Sequence, residues 1–261
     1  MGLAFGKEDY IAVFDSGLGG LSVLGQLHRL MPRERYLYFG DSANAPYGSR
    51  PTDQVRQLTL AALESLTAAY PVKAIVIACN TATAAAVEQV RAAYPSTIVV
   101  GIEPALKLAA DRFPAGHIGV MATEVTLREK KFEALLHSID SRCTVWKIPA
   151  PGLVEHIEAG DLDSPQLLSL LETILGPYAG RLDTLVLGCT HYPFAAGAIQ
   201  RILGPQVTLL DGGEGTARET HRRLEAAGLL APETAQGQVT LLNSSQDPQM
   251  IPRAMGLWKG R

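Results

Sequence analysis

The sequence predicts an α/β protein of two similar, pseudo-symmetric domains with largely parallel sheets and an active site in the cleft between them. Three observations predict this fold. Short runs rich in β-branched residues alternate with segments of helical periodicity. Two of these runs each resemble a later run in the chain. The 261 residues, 47% of them hydrophobic and 19% charged, are enough for a substantial core.

Eight short apolar runs, each closed by small or polar residues, are predicted to be strands buried on both faces. They are Ile11–Phe14, Tyr36–Phe39, Ala74–Ala78, Thr97–Val100, Ile118–Met121, Thr144–Ile148, Leu185–Leu187 and Val207–Leu210. Helical patterns lie between them, and an Arg-rich helix is expected from Thr216 to about Ala227. The segment after Ala231 contains three prolines and is weakly patterned.

Two short similarities within the sequence, here called the sequence echo, predict that the two domains are related. IAVFD at 11–15 resembles IGVMA at 118–122, and IVIAC at 75–79 resembles LVLGC at 185–189. Chance similarity between buried strands is the alternative explanation. We expect a first domain of residues 1–99 plus about 209–261, and a second domain of about 100–208.

Composition narrows the possible functions. A net charge of −3 without a long run of either sign indicates neither a nucleic-acid nor a membrane partner. No stretch approaches the roughly 18 to 20 apolar residues of a membrane span, and the N-terminal segment lacks a leader pattern, so a cytoplasmic protein is expected. Three widely spaced cysteines without a CxxC pair predict neither a disulfide framework nor a metal site.

The first predicted strand ends in Asp15-Ser16-Gly17-Leu18-Gly19-Gly20. Glycines let a backbone approach a ligand closely, and amides at a helix start bind anions. The pattern lacks the third glycine of a dinucleotide fingerprint. A phosphate loop of the actin or sugar-kinase type and a simple tight turn remain alternatives, as does an Asx turn for Asp15 itself.

Two cysteines occupy equivalent places at strand ends. Cys79 precedes Asn80 and Thr81, and Cys189 precedes Thr190 and His191. A helix N-terminus stabilises a thiolate, so both positions suit chemistry, although a strand cysteine is often only a small hydrophobic residue. Cys143 lacks such neighbours, which indicates packing alone.

Two thiols suit the inversion of a carbon that bears an acidified hydrogen. One thiolate removes the proton from one face, and one thiol returns a proton to the other face. The carbanion between these steps needs fixed donors and little water. Candidate donors are Ser16, Asn80, Thr81 and Thr190.

Five motifs resemble, in order, those of the cofactor-independent aspartate/glutamate racemase family. They are FDSGLGGLSV, YFGDSANAPYG, IACNTATA, GIEPALK and LGCTHYPF, and the similarity runs from about Ile11 to Gly213. The resemblance implies a two-domain α/β enzyme, usually a homodimer, that interconverts L- and D-glutamate without a cofactor or metal and supplies D-glutamate for peptidoglycan.

The resemblance also implies roles for individual residues. Cys79 and Cys189 match the two acid/base cysteines, with Asp15 and His191 as their helpers. The matched substrate contacts are Asp15, Ser16, Tyr47, Gly48, Asn80, Thr81, Thr190 and His191. Aspartate racemases of this family generally place Glu after the second Cys-Thr, so His191 favours glutamate over aspartate.

One motif departs from the family pattern. The family usually has a block like CPLFVPLVE, whose glutamate supports the histidine, whereas this chain reads IPAPGLVEHIE. Glu155 is the better match for the supporting role, and Glu158 is its competitor. A solvated helix carboxylate is the alternative interpretation of both residues, and it is preferred for Glu158.

Several other functions remain possible from the sequence. A thiol hydrolase or transferase could use Cys189 with His191, but it would leave Cys79 unexplained. A phosphate-loop kinase would require ATP and magnesium. A non-enzymatic amino-acid binder would leave the chirality of its ligand unchanged, and a racemase acting on aspartate is a further alternative.

Overall fold

The computed structural model describes residues 5–128, 130–137, 139 and 142–259. The first four residues of the N-terminal segment and the last two of the expected first domain lie outside the described residues. None of the helices within the described ranges combines the length and the apolar character that a membrane crossing requires.

Strands and helices alternate along the chain, as predicted. The strands are β1 Tyr10–Asp15, β2 Arg35–Gly40, β3 Val72–Ile77, β4 Ile98–Gly101, β5 His117–Ala122, β6 Thr144–Pro149, β7 Thr184–Leu187, β8 Thr208–Asp211 and β9 Gln238–Asn243. The helices are α1 Leu21–Leu30, α2 Thr52–Ala69, α3 Asn80–Ala93, α4 Leu106–Arg112, α5 Glu124–Arg128, α6 Lys130–His137, α7 Leu153–Glu158, α8 Pro165–Leu175, α9 Ala196–Leu203, α10 Gly213–Ala226 and α11 Met250–Lys259.

The chain forms two compact units. The first comprises the residues up to Ile102 together with those from Gly213 onward, and the second is Glu103–Gly212. Each unit contains one sheet whose strands are all parallel. The predicted α/β class with parallel sheets is therefore confirmed.

The two sheets repeat one strand order. The first sheet runs β4-β3-β1-β2-β9, and the second, written from its other edge, runs β8-β7-β5-β6. Strand β1 thus corresponds to β5 and strand β3 to β7, which are the pairs that the sequence echo relates. The cysteines Cys79 and Cys189 follow the equivalent strands β3 and β7.

Side chains that alternate along the strands build the core of the first unit. Ala12 and Phe14 of β1, with Ile75 and Ile77 of β3, pack in one cluster with buried residues of α2 and α3. On the other side, α10 contacts β3 and β4, and α1 packs against α10. Helices therefore cover both faces of the sheet. The carboxyl ends of its strands lead into loops, where ligands bind in this class of fold.

The second unit has two cores, one on each side of its sheet. Met121, Leu185 and Leu187 pack against α7, α8 and α9, whereas Ile118 and Val186 pack in a cluster with α4. Helix α8 begins with Ser164 as its N-cap, whose hydroxyl accepts a hydrogen bond from the amide of Leu167 at 3.0 Å.

Two features of the fold differ from the predictions. Strands β6 and β8 lie at the two edges of their sheet and are mostly half-buried or exposed, so the prediction of burial on both faces was wrong for them. The weakly patterned C-terminal segment forms β9, which pairs with β2 along Gln238–Asn243, and α11, which buries Met250 and Ala254. Both elements belong to the first unit.

Candidate active site

The first candidate group forms where β1 and β3 end side by side. The amide of Ala78 donates to the carbonyl of Phe14 at 2.7 Å, which continues the pairing of these strands to their last residues. This register places Ser16 beside Cys79, with Oγ 3.4 Å from Sγ. The backbone of α3 completes the environment of the sulfur, because the amide of Ala82 donates to Sγ at 3.4 Å. Donors at a helix N-terminus favour a thiolate at this position.

Asp15 is fully buried at the end of β1. Its Oδ1 accepts a hydrogen bond from the amide of Gly17 at 2.8 Å, so the carboxylate forms the Asx turn that leads into α1. Gly20 is required by close approach, since a Cβ at that position would lie 2.6 Å from Cβ of Asp15. The glycine-rich motif therefore packs the start of α1 directly against Asp15.

Asn80 and Thr81 form the first turn of α3 and are both buried. Oδ1 of Asn80 has no hydrogen-bond partner among the described residues. A buried amide oxygen normally has a partner, because desolvation without one is costly. Asn80 thus offers an acceptor for a polar ligand beside Cys79.

Tyr47 and Gly48 lie in the loop of residues 41–50 that follows β2. The ring of Tyr47 is buried, and its hydroxyl donates to Oδ2 of Asp41 at 2.6 Å. Burial, followed by this hydrogen bond and by the nearby Asp41, Cys79 and Asp15, holds the pKa of Tyr47 far above its ordinary value of 10. Tyr47 is therefore a neutral donor close to the ends of β1 and β3, and Gly48 beside it is half-buried.

Asp41 is a residue that the sequence analysis missed. It is buried directly after β2, and its carboxylate also accepts from Nδ2 of Asn44. Its amide donates to the carbonyl of Asp15 at 2.9 Å, which fixes the loop to the end of β1. Asp41 could have been found from the sequence, because it lies just after a predicted strand, as Asp15 does.

The second candidate group follows β7. Cys189, Thr190 and His191 are all buried, and Sγ of Cys189 lies 3.7 Å from Nδ1 of His191. His191 precedes the short helix Tyr192–Ala195, as the proline at 193 suggests. The imidazole of His191, two residues after Cys189, thus lies next to the thiol. The sequence spacing alone did not establish this contact.

The histidine is supported by Glu158, which corrects the prediction made for Glu155. Nε2 of His191 lies 2.6 Å from Oε1 of Glu158 at the last residue of α7, whereas Glu155 lies in the first turn of that helix and is exposed. The spacing of three residues puts both carboxylates on neighbouring positions of one helix, so the motif alone does not distinguish them.

The partners of His191 determine its charge. Burial opposes protonation, but the hydrogen bonds to Cys189 and Glu158 and the charges of these two groups outweigh it and raise the pKa of His191 well above the ordinary 6.5. An imidazolium carries hydrogen on both ring nitrogens, so it donates to the sulfur and to the carboxylate together. Cys189, His191 and Glu158 form a chain along which a proton is held next to sulfur.

The described residues therefore contain two candidate groups, one in each unit. Asp15, Ser16, Tyr47, Gly48, Cys79, Asn80 and Thr81 belong to the first unit, and Cys189, Thr190 and His191 to the second. Cys143 lies outside both groups, with Sγ 3.6 Å from the carbonyl of Phe113.

The chain is similar to known glutamate racemases in both sequence and structure. The chain is 46% identical over 246 residues to a protein named glutamate racemase from Clostridium botulinum, and the match covers 94% of this chain and 95% of that protein. A glutamate racemase structure from Thermus thermophilus, in complex with β-chloro-D-alanine, has 39% identity and a TM-score of 0.82, with 97% of this chain and 94% of that one covered.

An Escherichia coli glutamate racemase structure, in complex with L-glutamate and the activator UDP-MurNAc-Ala, has 30% identity and a TM-score of 0.85, with 96% and 95% covered. The sequence profile of the Asp/Glu/Hydantoin racemase family matches residues 18–220. The chain, with one cysteine after each of two equivalent strands, belongs to the Asp/Glu/Hydantoin racemase family.

Proposed function

We propose that the protein is a glutamate racemase that interconverts L- and D-glutamate with Cys79 and Cys189 as its two acid/base groups. The observation that carries this proposal is the equivalence of the two cysteines. Each follows the same strand of a repeated sheet order, and each sulfur lies within hydrogen-bonding range of polar groups. Cys143 also has a polar partner, but it precedes strand β6 and does not follow one of the two equivalent strands.

The substrate is proposed from the relatives and from the second group. Relatives at 43–46% identity over most of the chain are named glutamate racemases, and the E. coli structure contains L-glutamate. His191 after Cys189-Thr190 supports glutamate over aspartate, in keeping with the resemblance noted from the sequence.

In the proposed reaction, one cysteine thiolate takes the α-hydrogen as a proton. The C–H bond breaks, an S–H bond forms, and the electron pair remains on the α-carbon next to the carboxylate. The other cysteine, as a thiol, gives its proton to the opposite face of that carbon. The product has inverted handedness, and the two sulfurs have exchanged protonation states, which prepares them for the reverse direction.

The first group supplies a stabilised thiolate and fixed donors. Ser16 and the amide of Ala82 act on Cys79, and the α3 N-terminus with Thr81 provides positive potential for the substrate carboxylate. Asn80 has an accepting oxygen that suits the substrate ammonium. Preorganised groups of this kind stabilise charge that develops in the transition state.

In the second group, His191 and Glu158 serve Cys189. The imidazolium donates to a Cys189 thiolate after that residue has lost its proton, and it holds a proton that the thiolate can regain. Glu158 keeps the imidazole charged and oriented, so it acts through His191 and not on the substrate.

The wider setting is proposed from the family. A supply of D-glutamate for peptidoglycan synthesis, a cytoplasmic location and a homodimer are expected for such an enzyme. The E. coli relative is described with the activator UDP-MurNAc-Ala, a cell-wall precursor by its name, which supports the first of these expectations.

The test is to follow optical activity with the purified protein and either enantiomer. Both L- and D-glutamate should approach the same racemic end point, and L-aspartate should react far more slowly. Faster turnover of aspartate would indicate a racemase for the shorter acid, and binding of glutamate without loss of optical activity would contradict the proposal.

A further inference from the structure

The loop of residues 41–50, here called the β2 loop, is held by the C-terminal strand β9. The loop carries Tyr47 and Gly48 of the first candidate group. Strand β9 pairs in parallel with β2 up to Gly40 and Asn243, so the residues that follow each strand emerge next to each other. The backbone extends this pairing by one step, since the amide of Ser244 donates to the carbonyl of Gly40 at 3.0 Å.

Two side chains of β9 and its exit reach the start of the loop. Nδ2 of Asn243 donates to Oγ of Ser42 at 2.9 Å. Oγ of Ser244 accepts a hydrogen bond from the amide of Ala43 at 3.0 Å. Gly40 leaves room for two neighbours, because a Cβ there would lie 2.8 Å from Nδ2 of Asn243 and still closer to the backbone carbonyl of Gly17.

The contacts of Asn243 and Ser244 with Ser42 and Ala43 are here called the brace. The Asn243 side chain of this brace is itself oriented by a hydrogen bond. Oδ1 of Asn243 accepts from the amide of Ser245 at 2.8 Å, which directs Nδ2 toward Ser42. Within the loop, Asp41 accepts a hydrogen bond from the Tyr47 hydroxyl, and Nε of Arg50 donates to the carbonyl of Asn44 at 2.7 Å. The β2 loop is therefore fixed internally by Asp41 and Arg50 and externally by β9.

We propose that Asn243 and Ser244 are positioning residues for glutamate binding, acting through the β2 loop that presents Tyr47 and Gly48. This inference rests on the proposed racemase function. It assigns a function to a segment that the sequence analysis left without one, and the role does not require either side chain to touch the substrate.

The expected effect is on substrate binding more than on proton transfer. The hydrogen bonds described for Asn243 and Ser244 run to Gly40, Ser42, Ala43 and Ser245. We therefore expect the acid/base groups to stay in place when the brace is removed, whereas the loop loses its fixed position. Loss of an interaction made equally in the ground state and the transition state raises KM and leaves kcat nearly unchanged. The net value of one neutral hydrogen bond corresponds to an increase in KM of about threefold to tenfold.

The experiment compares adjacent serines in the full-length protein. Ser244→Ala and Ser42→Ala each remove one side of the brace, and Ser244→Thr keeps the hydroxyl. Ser245→Ala is the matched control, because the Ser245 hydroxyl accepts from the amide of Asp247 and not from the loop. We expect KM for both enantiomers to rise in the first two variants, to be restored in Ser244→Thr and to stay at the wild-type value in Ser245→Ala.

Hydrogen exchange provides a readout that is independent of turnover. The amide of Ala43 should exchange faster in Ser244→Ala than in the wild type, while amides of β3 should keep their protection. Wild-type protein that does not racemise glutamate would refute the proposed function. The hydrogen-exchange measurement at Ala43 would still test whether Ser244 holds the β2 loop. Unchanged KM together with unchanged Ala43 exchange would overturn the inference, as would an equal loss of activity and stability in the Ser245→Ala control.

Discussion

Nε2 of His191 lies 2.6 Å from Oε1 of Glu158, in a contact where only 4% of the histidine side chain and 18% of the glutamate side chain are exposed. The same ring faces Cys189 through Nδ1. Glu158 thereby acts on the thiol through the imidazole. A carboxylate with so little water around it influences its partner more strongly than a surface carboxylate does.

Replacing Glu158 by Gln should lower kcat/KM for glutamate by roughly tenfold to a hundredfold, since a hydrogen bond to a charged group contributes about 1.5 to 3 kcal/mol. The amide keeps the size of the side chain but not its charge. Steady-state racemisation in both directions measures the loss. Glu155→Gln is the control and should stay close to wild type; the opposite ranking of the two variants would return the supporting role to Glu155.

Stability should depend on pH through His191. Because the folded state raises the pKa of His191, its protonation stabilises the fold fully below the unfolded pKa of about 6.5. That contribution falls as the pH rises from there through the higher folded-state pKa. The difference in unfolding free energy between the wild type and His191→Asn should therefore shrink with rising pH. Denaturant titrations over this range measure it, and a gap that widens with pH would show that the histidine is neutral in the folded protein.

Either Cys79→Ala or Cys189→Ala should reduce racemisation by at least about a thousandfold, in both directions, because the proposed two-base mechanism uses both sulfurs in each direction. Cys143→Ala should leave turnover nearly intact, since Cys143 belongs to neither candidate group. Optical activity and the folded signal are measured on the same samples. Full activity in either single alanine variant would contradict the two-base mechanism.

A buried ion pair should control the stability of the first unit. Nζ of Lys73 lies 2.6 Å from Oε2 of Glu34, both side chains are almost fully buried, and Nζ also donates to the carbonyl of Leu229 at 2.9 Å. Glu34→Gln should cost about 3 to 5 kcal/mol of unfolding free energy, because it leaves a buried charge without its counter-ion.

Two comparisons make this stability prediction specific. Glu88→Gln breaks the exposed pair with Arg91 and should cost less than about 1 kcal/mol. Glu34→Met combined with Lys73→Met should cost less than Glu34→Gln alone, since it leaves no buried charge. A similar small loss in Glu34→Gln and Glu88→Gln would show that the buried pair contributes no more than a surface pair.

The sequence was sufficient to predict the elements that carry the strongest periodic signal. Strands β1 and β3 are nearly continuous apolar runs because helices cover both faces of their sheet, and their ends were located to within two residues. The positions of Cys79 and Cys189 followed from the predicted ends of β3 and β7. The repeated strand order also gives the sequence echo a structural basis.

The missed features depend on tertiary contacts. Helix α11 contains Pro252 and Gly256, which disfavour a helix locally, and it is stabilised where Met250 and Ala254 are buried. Strand β9 is half-buried at a sheet edge, so its hydrophobic pattern is weak. The choice between Glu155 and Glu158 required the position of α7 relative to His191, which no local pattern specifies.

The two-base claim is tested most directly by the isotope pattern at the α-carbon. L-glutamate is incubated in heavy water with purified, cofactor-stripped protein, and both enantiomers are analysed early in the reaction. We expect the first D-glutamate to carry deuterium at the α-carbon while the remaining L-glutamate largely retains its protium. Equal labelling of both pools from the start would mean that a single base acts on both faces, and would contradict the two-base mechanism.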